Sequence, residues 1–271
     1  MTQPNRPTSN AHAKRALSAT LAALASTVLA VAPAAANPAE AQRVLKSMSD
    51  YMASQNNLSS RFDVSLDIIT PGVEKIQFAA SGNMSISRPD KLRVHRQGGY
   101  TDVELIYDGQ TATVVDRADN LYAQFKSAGT VDQLVDELRA TYGIDMPAAD
   151  LLLTRSYEEL IKDVVEAKHI GVGIVNGQEC SHLAFRNVDT DWQIWVRTGD
   201  KPLPCKFIIT SKTVAAAPEY VVLFQEWKVG EAAHSGAFSY KPPTGAKLVA
   251  FSDLVNIGEL PAPAPLTSGG E

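Results

Sequence analysis

Punctuation is what most constrains this chain. Between Asn57 and Phe125, turn-forming pairs recur at short intervals: Pro71-Gly72, Pro89-Asp90, Gly98-Gly99, Asp108-Gly109 and Asp119-Asn120. Gly, Asn and Asp tolerate the positive φ of tight hairpin turns, so each pair is a turn with a mechanism. The runs between them have a period of two: Phe62, Val64, Leu66 and Ile68 alternate with Asp63, Ser65 and Asp67, as in a half-buried strand. Parallel strands need a crossover of about a dozen residues or more, which these connections cannot supply. Six antiparallel strands are therefore predicted, at about 57–69, 74–87, 91–97, 100–107, 110–116 and 119–125, running as a meander.

A second strand run follows a helical interruption. Thr130 with Gln133 forms a capping box ahead of Val131, Leu134, Val135, Leu138 and Tyr142 on one helical face, and Gly143 closes the helix. Pro147 is expected to open a short apolar helix through Ala148, Leu151, Leu152 and Leu153, and Ser156 with Glu159 to cap another. Strands resume at 165–175 and 178–187, joined by Asn176-Gly177, and continue at 190–197, 205–213 and 219–229, with a last strand expected around 236–240. Before all of these, Ala41, Val44, Leu45, Met48, Tyr51 and Met52 mark an amphipathic helix opened by Pro38. The fold class is α+β and mainly β, and helices grouped between strand runs sit on one face or end of the sheet.

The N-terminal residues 1–36 read as an export signal. Lys14 and Arg15 precede the uncharged run Ala16 to Ala32, and Ala34-Ala35-Ala36 supplies small residues for cleavage near Ala36. The run is short and weakly apolar for a membrane span, and stable membrane insertion is not expected. Loss of Arg6, Lys14 and Arg15 takes the formal net charge from −5 to −8. An acidic chain without a basic run argues against nucleic acid and anionic membrane surfaces as partners. The Pro/Gly-rich end, PAPAPLTSGGE from Pro261, predicts a disordered tail over 256–271.

The stretch Gln178–Thr213 concentrates the residues with chemical potential. Cys180 and Cys205 are the two cysteines, and both begin strands at the same end of the sheet. With one strand between them, twice the spacing of about 4.8 Å exceeds ordinary disulfide reach, unless the Gly199–Pro204 loop carries Cys205 over the strand end. A disulfide and two buried thiols both remain open. Cys180, His182 and Cys205 lack any zinc spacing, so no metal is expected. Neither a nucleophile elbow nor a phosphate-cradling loop is present, and no cofactor or catalytic residue is predicted. Trp192 and Trp195 project to opposite faces of one strand, one of them inward.

In order and spacing, the segments RPDKLRV (Arg88–Val94), YDG (Tyr107–Gly109), ADLLL (Ala149–Leu153), CSHLAFR (Cys180–Arg186), DWQIWV (Asp191–Val196) and PLPCKFIIT (Pro202–Thr210) resemble the LolA/LppX-like superfamily of periplasmic lipoprotein and lipid carriers, and within it the DUF2092 family. The resemblance covers about Ala39 to Val229. It implies one half-barrel domain over 37–255, with about eleven antiparallel strands curled into an incomplete barrel and helices closing the concave face. It brings no site residues.

A curled sheet must fill its concave face with its own side chains, helices or a ligand. Phe62, Val64, Leu66, Phe78, Met84, Ile86, Trp192, Ile194, Phe207, Val222 and Phe224 are the candidates to line a hydrophobic cavity, and Leu134, Leu138, Leu151 and Leu152 to form a lid. The function expected is non-catalytic, periplasmic carriage of a hydrophobic ligand, a lipid or the acyl chains of a lipoprotein, with an envelope protein as receiving partner. The alternative is a protein-interaction or envelope-sensor domain whose cavity is filled by its own side chains.

Overall fold

The structure is a computed structural model, and the residues it describes are 37–144, 146–230, 238–254 and 257. The expected export signal, most of the expected tail and residues 236–237 of the last expected strand lie outside these described residues.

Helix α1 (Pro38–Ser54) opens with Asn37 as its cap, the side chain accepting from the Glu40 N–H, and buries Ala41, Leu45, Met48 and Met52. Strands β1 (Asn57–Ile69), β2 (Lys75–Ser87), β3 (Lys91–Gly98), β4 (Asp102–Tyr107), β5 (Thr111–Asp116) and β6 (Leu121–Lys126) follow as the predicted meander. Helix α2 (Val131–Tyr142) carries the full Thr130/Gln133 capping box and ends on Gly143 in the left-handed region at φ 61°. A 3₁₀ turn (Ala149–Leu152) and the short helix α3 (Ser156–Ile161) lead to β7 (Glu166–Val175), β8 (Gln178–Arg186), β9 (Thr190–Arg197), β10 (Pro204–Ser211) and β11 (Glu219–Val229). A two-residue strand, β12 (Lys247–Leu248), pairs in parallel with β6.

The twelve strands of the described residues form one open, curled sheet in the order β12-β6-β5-β4-β3-β2-β1-β11-β10-β9-β8-β7. The two meanders meet at β1 and β11, so β6 and β7 lie on opposite flanks. The 127–165 connection must therefore pass from one flank to the other, and it does so across the concave face, with its apolar side chains in the same core as the sheet. Helix α1 packs on β7, β8 and β9 and touches α3, where Ser49 Oγ lies 3.3 Å from Ser156 Oγ.

Three local expectations are corrected. Ser156 does not cap α3: it is the helix's first residue, wholly buried against α1, and Arg155 occupies the cap position without a side-chain capping bond. The helix expected from Pro147 is one 3₁₀ turn, preceded by Ala148 at a positive φ that interrupts helical geometry. Phe238–Tyr240, the described part of the expected last strand, is not a strand. The sheet instead gains β12.

Cys180 and Cys205 are joined by a disulfide across the end of β9, with Cα atoms 6.9 Å apart. A register shift at Cys205 between Pro204 and Lys206 lifts it from the regular ladder and brings it within reach.

Candidate functional site

Strand register decides which side chains share the concave face. One row runs Phe224–Phe62–Gly82–Arg96–Val103 across β11, β1, β2, β3 and β4. The next runs Met84–Val94–Leu105–Val114 across β2 to β5. Together with Val64, Val222 and Tyr220, these rows form the wall of a cavity of about 210 Å³. Its roof comes from the connection between the two meanders: Val135 and Leu138 of α2, Ile144, and the Met146–Ala149 and Leu152 positions around the 3₁₀ turn. Ile257 closes one side.

Small residues hold the wall open. Gly82 has no side chain to meet the Phe62 ring that lies over it, and its neighbour two residues earlier on the same face is Ala80, opposite Gly98. At about 30 Å³ for each water-sized group, the cavity accommodates about seven methylene-sized groups.

Among the described residues, two polar side chains enter this lining. Arg96 projects from β3, and one of its N–H groups donates to the Ile257 carbonyl at 3.2 Å. Burial pulls its pKa below the ordinary arginine value, and the nearby Tyr220 phenol opposes that shift. Burial likewise raises the Tyr220 phenol, against the pull of the Arg96 charge. Both groups keep their usual protonation near neutral pH, a cation and a neutral hydroxyl.

The predicted cavity residues divide between a hollow half and a filled half of the concave face. Phe62, Val64, Met84, Val222 and Phe224 line the cavity, as do the lid candidates Leu138 and Leu152. Leu66 and Phe78 are register partners further along the same face, half-buried, with Phe78 packed on Tyr100 at 5.7 Å between ring centroids. They extend the cavity's row and do not line it. Ile86 belongs to the buried row Leu58–Ile86–Leu92–Tyr107 and packs into the core beyond the cavity.

Trp192, Ile194 and Phe207 fill space. Trp192 stacks on Phe185 at 4.0 Å, meets Phe207 edge-on at 5.9 Å and donates through its indole N–H to Asn187. All four of these apolar side chains are buried in the β8–β10 half, where α1 lies on the sheet. Leu134 and Leu151 are wholly buried beneath the roof and do not reach the cavity. Trp195 lies on the opposite, convex face, stacked on His182 at 4.0 Å with Lys206 over its ring at 5.2 Å.

Sequence reasoning passed over Arg96 and Tyr220. The signal for Arg96 was present: it has the same parity as Leu92 and Val94 in β3, a charge on an apolar strand face. Among the described residues no group of three or more His, Cys, Asp or Glu side chains could hold a metal ion. No described helix is long and apolar enough to cross a membrane.

Fold and site together define an open β half-barrel with an apolar cavity under a helical roof. Residues 41–252 match the model of the family described as predicted periplasmic protein (DUF2092), and the chain belongs to that family. Among solved structures it is similar to an uncharacterised conserved protein from Thermus thermophilus, at 10% identity over 78% of this chain and 99% of that one, with a TM-score of 0.47. It is also similar to LprF from Mycobacterium bovis, at 10% identity over 78% and 100% of the two chains and a TM-score of 0.41. A LolA superfamily protein from Nitrosomonas europaea matches at 8% identity over 70% and 94%, with a TM-score of 0.33. No curated protein matches the chain in sequence.

Proposed function

We propose that this protein is a non-catalytic periplasmic binder and carrier of a hydrophobic moiety, a lipid or the acyl chain of a lipoprotein. The observation that supports it is the cavity itself: about 210 Å³, walled by aliphatic and aromatic side chains, with Arg96 and Tyr220 as its polar members. A site of this composition binds by removing apolar surface from water, at about 0.8 kcal/mol for each buried methylene. About seven methylene-sized groups then correspond to about 5–6 kcal/mol, enough for weak binding with the roof in place. A longer chain needs the roof to move. That movement works against the burial of Leu151 and Leu153 and the bond from Arg88 to the Leu152 carbonyl at 2.7 Å, so longer chains bind only as far as they offset it.

The test is native mass spectrometry of protein purified without detergent from its native host, followed by solvent extraction. Co-purifying lipid at near one per chain is the expected result. Apoprotein alone, with no uptake of a fluorescent fatty-acid analogue, overturns the reading.

A second reading, a protein-interaction or envelope-sensor domain, is favoured by two observations. The α1 half of the concave face is filled by its own side chains, and the flanking strand β7 exposes Val172 and Ile174 at 59% and 70%. Capture of a specific envelope protein that is lost on Ile174→Lys, from a chain that takes up no lipid, selects this alternative.

A further inference from the structure

Consecutive antiparallel strands put alternate turns at opposite ends of the sheet, so the turn residues sort onto two rims. One rim carries the β7–β8, β9–β10, β2–β3 and β4–β5 turns, and their chemistry is the ordinary polar kind: Asn176-Gly177, Gly199-Asp200-Lys201, Pro89-Asp90 and Asp108-Gly109. The other rim carries the β8–β9, β10–β11, β1–β2, β3–β4 and β5–β6 turns, together with the entry into β7. Apolar side chains stand at its tips. Val165, Val188, Val214, Val73, Ile76 and Tyr100 lie there between 40% and 75% exposed, six of the ten exposed large apolar side chains among the described residues. The β5–β6 turn, Arg117 to Asn120, is the polar one on this rim.

We infer that the apolar rim is a docking surface for a lipid bilayer, engaged through these side chains rather than through basic ones, and that the cavity exchanges its ligand with the bilayer there. The exchange rests on the binding reading above; the docking is tested apart from it. The rim is continuous with the cavity. Val64 and Tyr220 line the cavity. The next residue of that strand face toward the rim is Leu66, paired with Tyr220 on one side and Phe78 on the other, and after it comes Ile68, paired with Ile76. Phe78 packs on Tyr100 of the rim at 5.7 Å between ring centroids. An acyl chain passing between bilayer and cavity therefore keeps to one apolar strand face.

The apolar tips run against ordinary turn chemistry. In the β1–β2 loop Pro71-Gly72-Val73, the Val73 N–H donates to the Thr70 carbonyl and Val73 sits at φ 62°. The left-handed position of a three-residue hairpin loop favours glycine, and a β-branched residue there is an outlier. In the neighbouring β10–β11 loop Ala216 and Ala217 are left-handed too, at φ 63° and 44°. The two loops touch, Lys75 Nζ donating to the Ala217 carbonyl at 3.3 Å. Charge supplies no attraction at these tips: the lysines flanking Val73 and Val214 are paired within the chain, Lys75 with Asp67 and Lys212 with Asp191, each at 3.3 Å. Glu74 and Asp189 are exposed beside Val73 and Val188. Such a rim suits a zwitterionic interface, where apolar burial supplies the binding and a tyrosine sits at head-group level. Anionic lipid weakens the contact, because the chain carries a formal net charge of −5.

The experiment uses the chain purified from its native host and measures flotation with phosphatidylcholine vesicles, and with the same vesicles carrying phosphatidylglycerol. The unaltered chain is expected to float with the first and less with the second. Val73→Asn, Val188→Ser and Val214→Ser together should lower the partition coefficient by about tenfold or more, the scale set by keeping apolar side chains in water. Asparagine accepts the left-handed conformation that Val73 holds, so the triple variant keeps its urea midpoint and the loss is not one of folding. Ile174→Ser, which removes an exposed apolar side chain from β7 beside the polar rim, should leave flotation unchanged. Uptake of a soluble fluorescent fatty-acid analogue should be the same in the triple variant and the unaltered chain, while transfer of that analogue out of vesicles falls.

No flotation of the unaltered chain overturns the docking assignment, and uptake of the soluble analogue then leaves the cavity reading standing. Flotation that the triple variant keeps, or that Ile174→Ser weakens as much, also overturns it. Flotation that rises with phosphatidylglycerol overturns it in favour of adsorption by charge. If the triple variant loses flotation and neither protein takes up the soluble analogue, the docking stands and the carrier reading fails. Should the triple variant not fold, Val188→Asp alone, at a side chain that is 75% exposed, decides by the same flotation readout.

Discussion

The ring of Phe62 lies directly on the backbone of Gly82, so close that a Cβ built on Gly82 would sit 2.5 Å from Phe62 Cζ and 2.5 Å from the His95 carbonyl oxygen. The two residues are register partners on β1 and β2, and the contact sets the depth of the cavity at that point. Gly82→Ala should cost about 1–3 kcal/mol, the usual penalty of overpacking, seen as a lower urea midpoint with an unchanged slope. Adding Phe62→Leu should restore only part of this loss, because the ring can yield and the His95 carbonyl, as backbone in a ladder, cannot. Full restoration would show that the ring alone sets the constraint.

The Cys180–Cys205 bond spans a sequence separation of 25. In the chain-entropy account a loop of that length is worth about 3.5 kcal/mol. The double change Cys180→Ser with Cys205→Ser should lower the unfolding free energy by about that amount, and reductant should affect the unaltered protein and leave the double variant unmoved. The bond ties β8 to β10 in the filled half, so ligand uptake by the folded double variant should be close to normal.

Strand alternation and turn chemistry made most of the sheet legible: every strand from β1 to β11 lies within a few residues of its expected place, because period-two patterns and Asn-Gly or Asp-Gly turns are local signals. What local signals do not carry is which strand ends up beside which. The pairing of β1 with β11 separates β6 from β7, and this alone sends the helical connection across the concave face. Without it, the sequence could not show that Trp192 lies under α1 while Phe62 faces open space, since both are aromatic residues on apolar strand faces. Leu151 and Leu152 show the same limit at single-residue scale. Adjacent leucines in one apolar run differ in environment only through the 3₁₀ geometry that turns one inward and the other toward the cavity.

His182, on the convex face against Trp195, gives the protein's stability a pH dependence. Burial holds its pKa below the ordinary 6.5, with Lys206 and His169 adding to the depression and a bond to Gln193 at 2.8 Å opposing it. A histidine whose folded pKa lies below its unfolded one binds fewer protons in the folded state, so its contribution to stability is complete above about pH 6.5 and declines as pH falls toward the folded value. Urea midpoints should therefore drop between pH 7.5 and 5.5, chosen to bracket about 6.5. His182→Gln, which keeps a polar partner for Gln193, should show a smaller drop. An equal drop in both proteins would place the sensitivity in other groups.

The roof gives the sharpest test of how the cavity works, because neighbouring substitutions should fail in different ways. Leu151 is wholly buried, and Leu151→Asp places an unpaired carboxylate in the core, a change that should cost several kcal/mol and show as loss of the cooperative thermal transition. Leu152 lines the cavity, and Leu152→Asp should leave the chain folded while weakening uptake of apolar chains, most strongly for anionic ones. A series of carboxylates from hexanoate to palmitate then measures the cavity directly. Affinity should climb steeply with each methylene until about seven are buried, then flatten if the roof stays shut. A continued rise to palmitate at the same slope would mean that the roof lifts and the cavity deepens along the row from Phe62 through Val64 toward Leu66 and Phe78, the direction in which the same strand face continues.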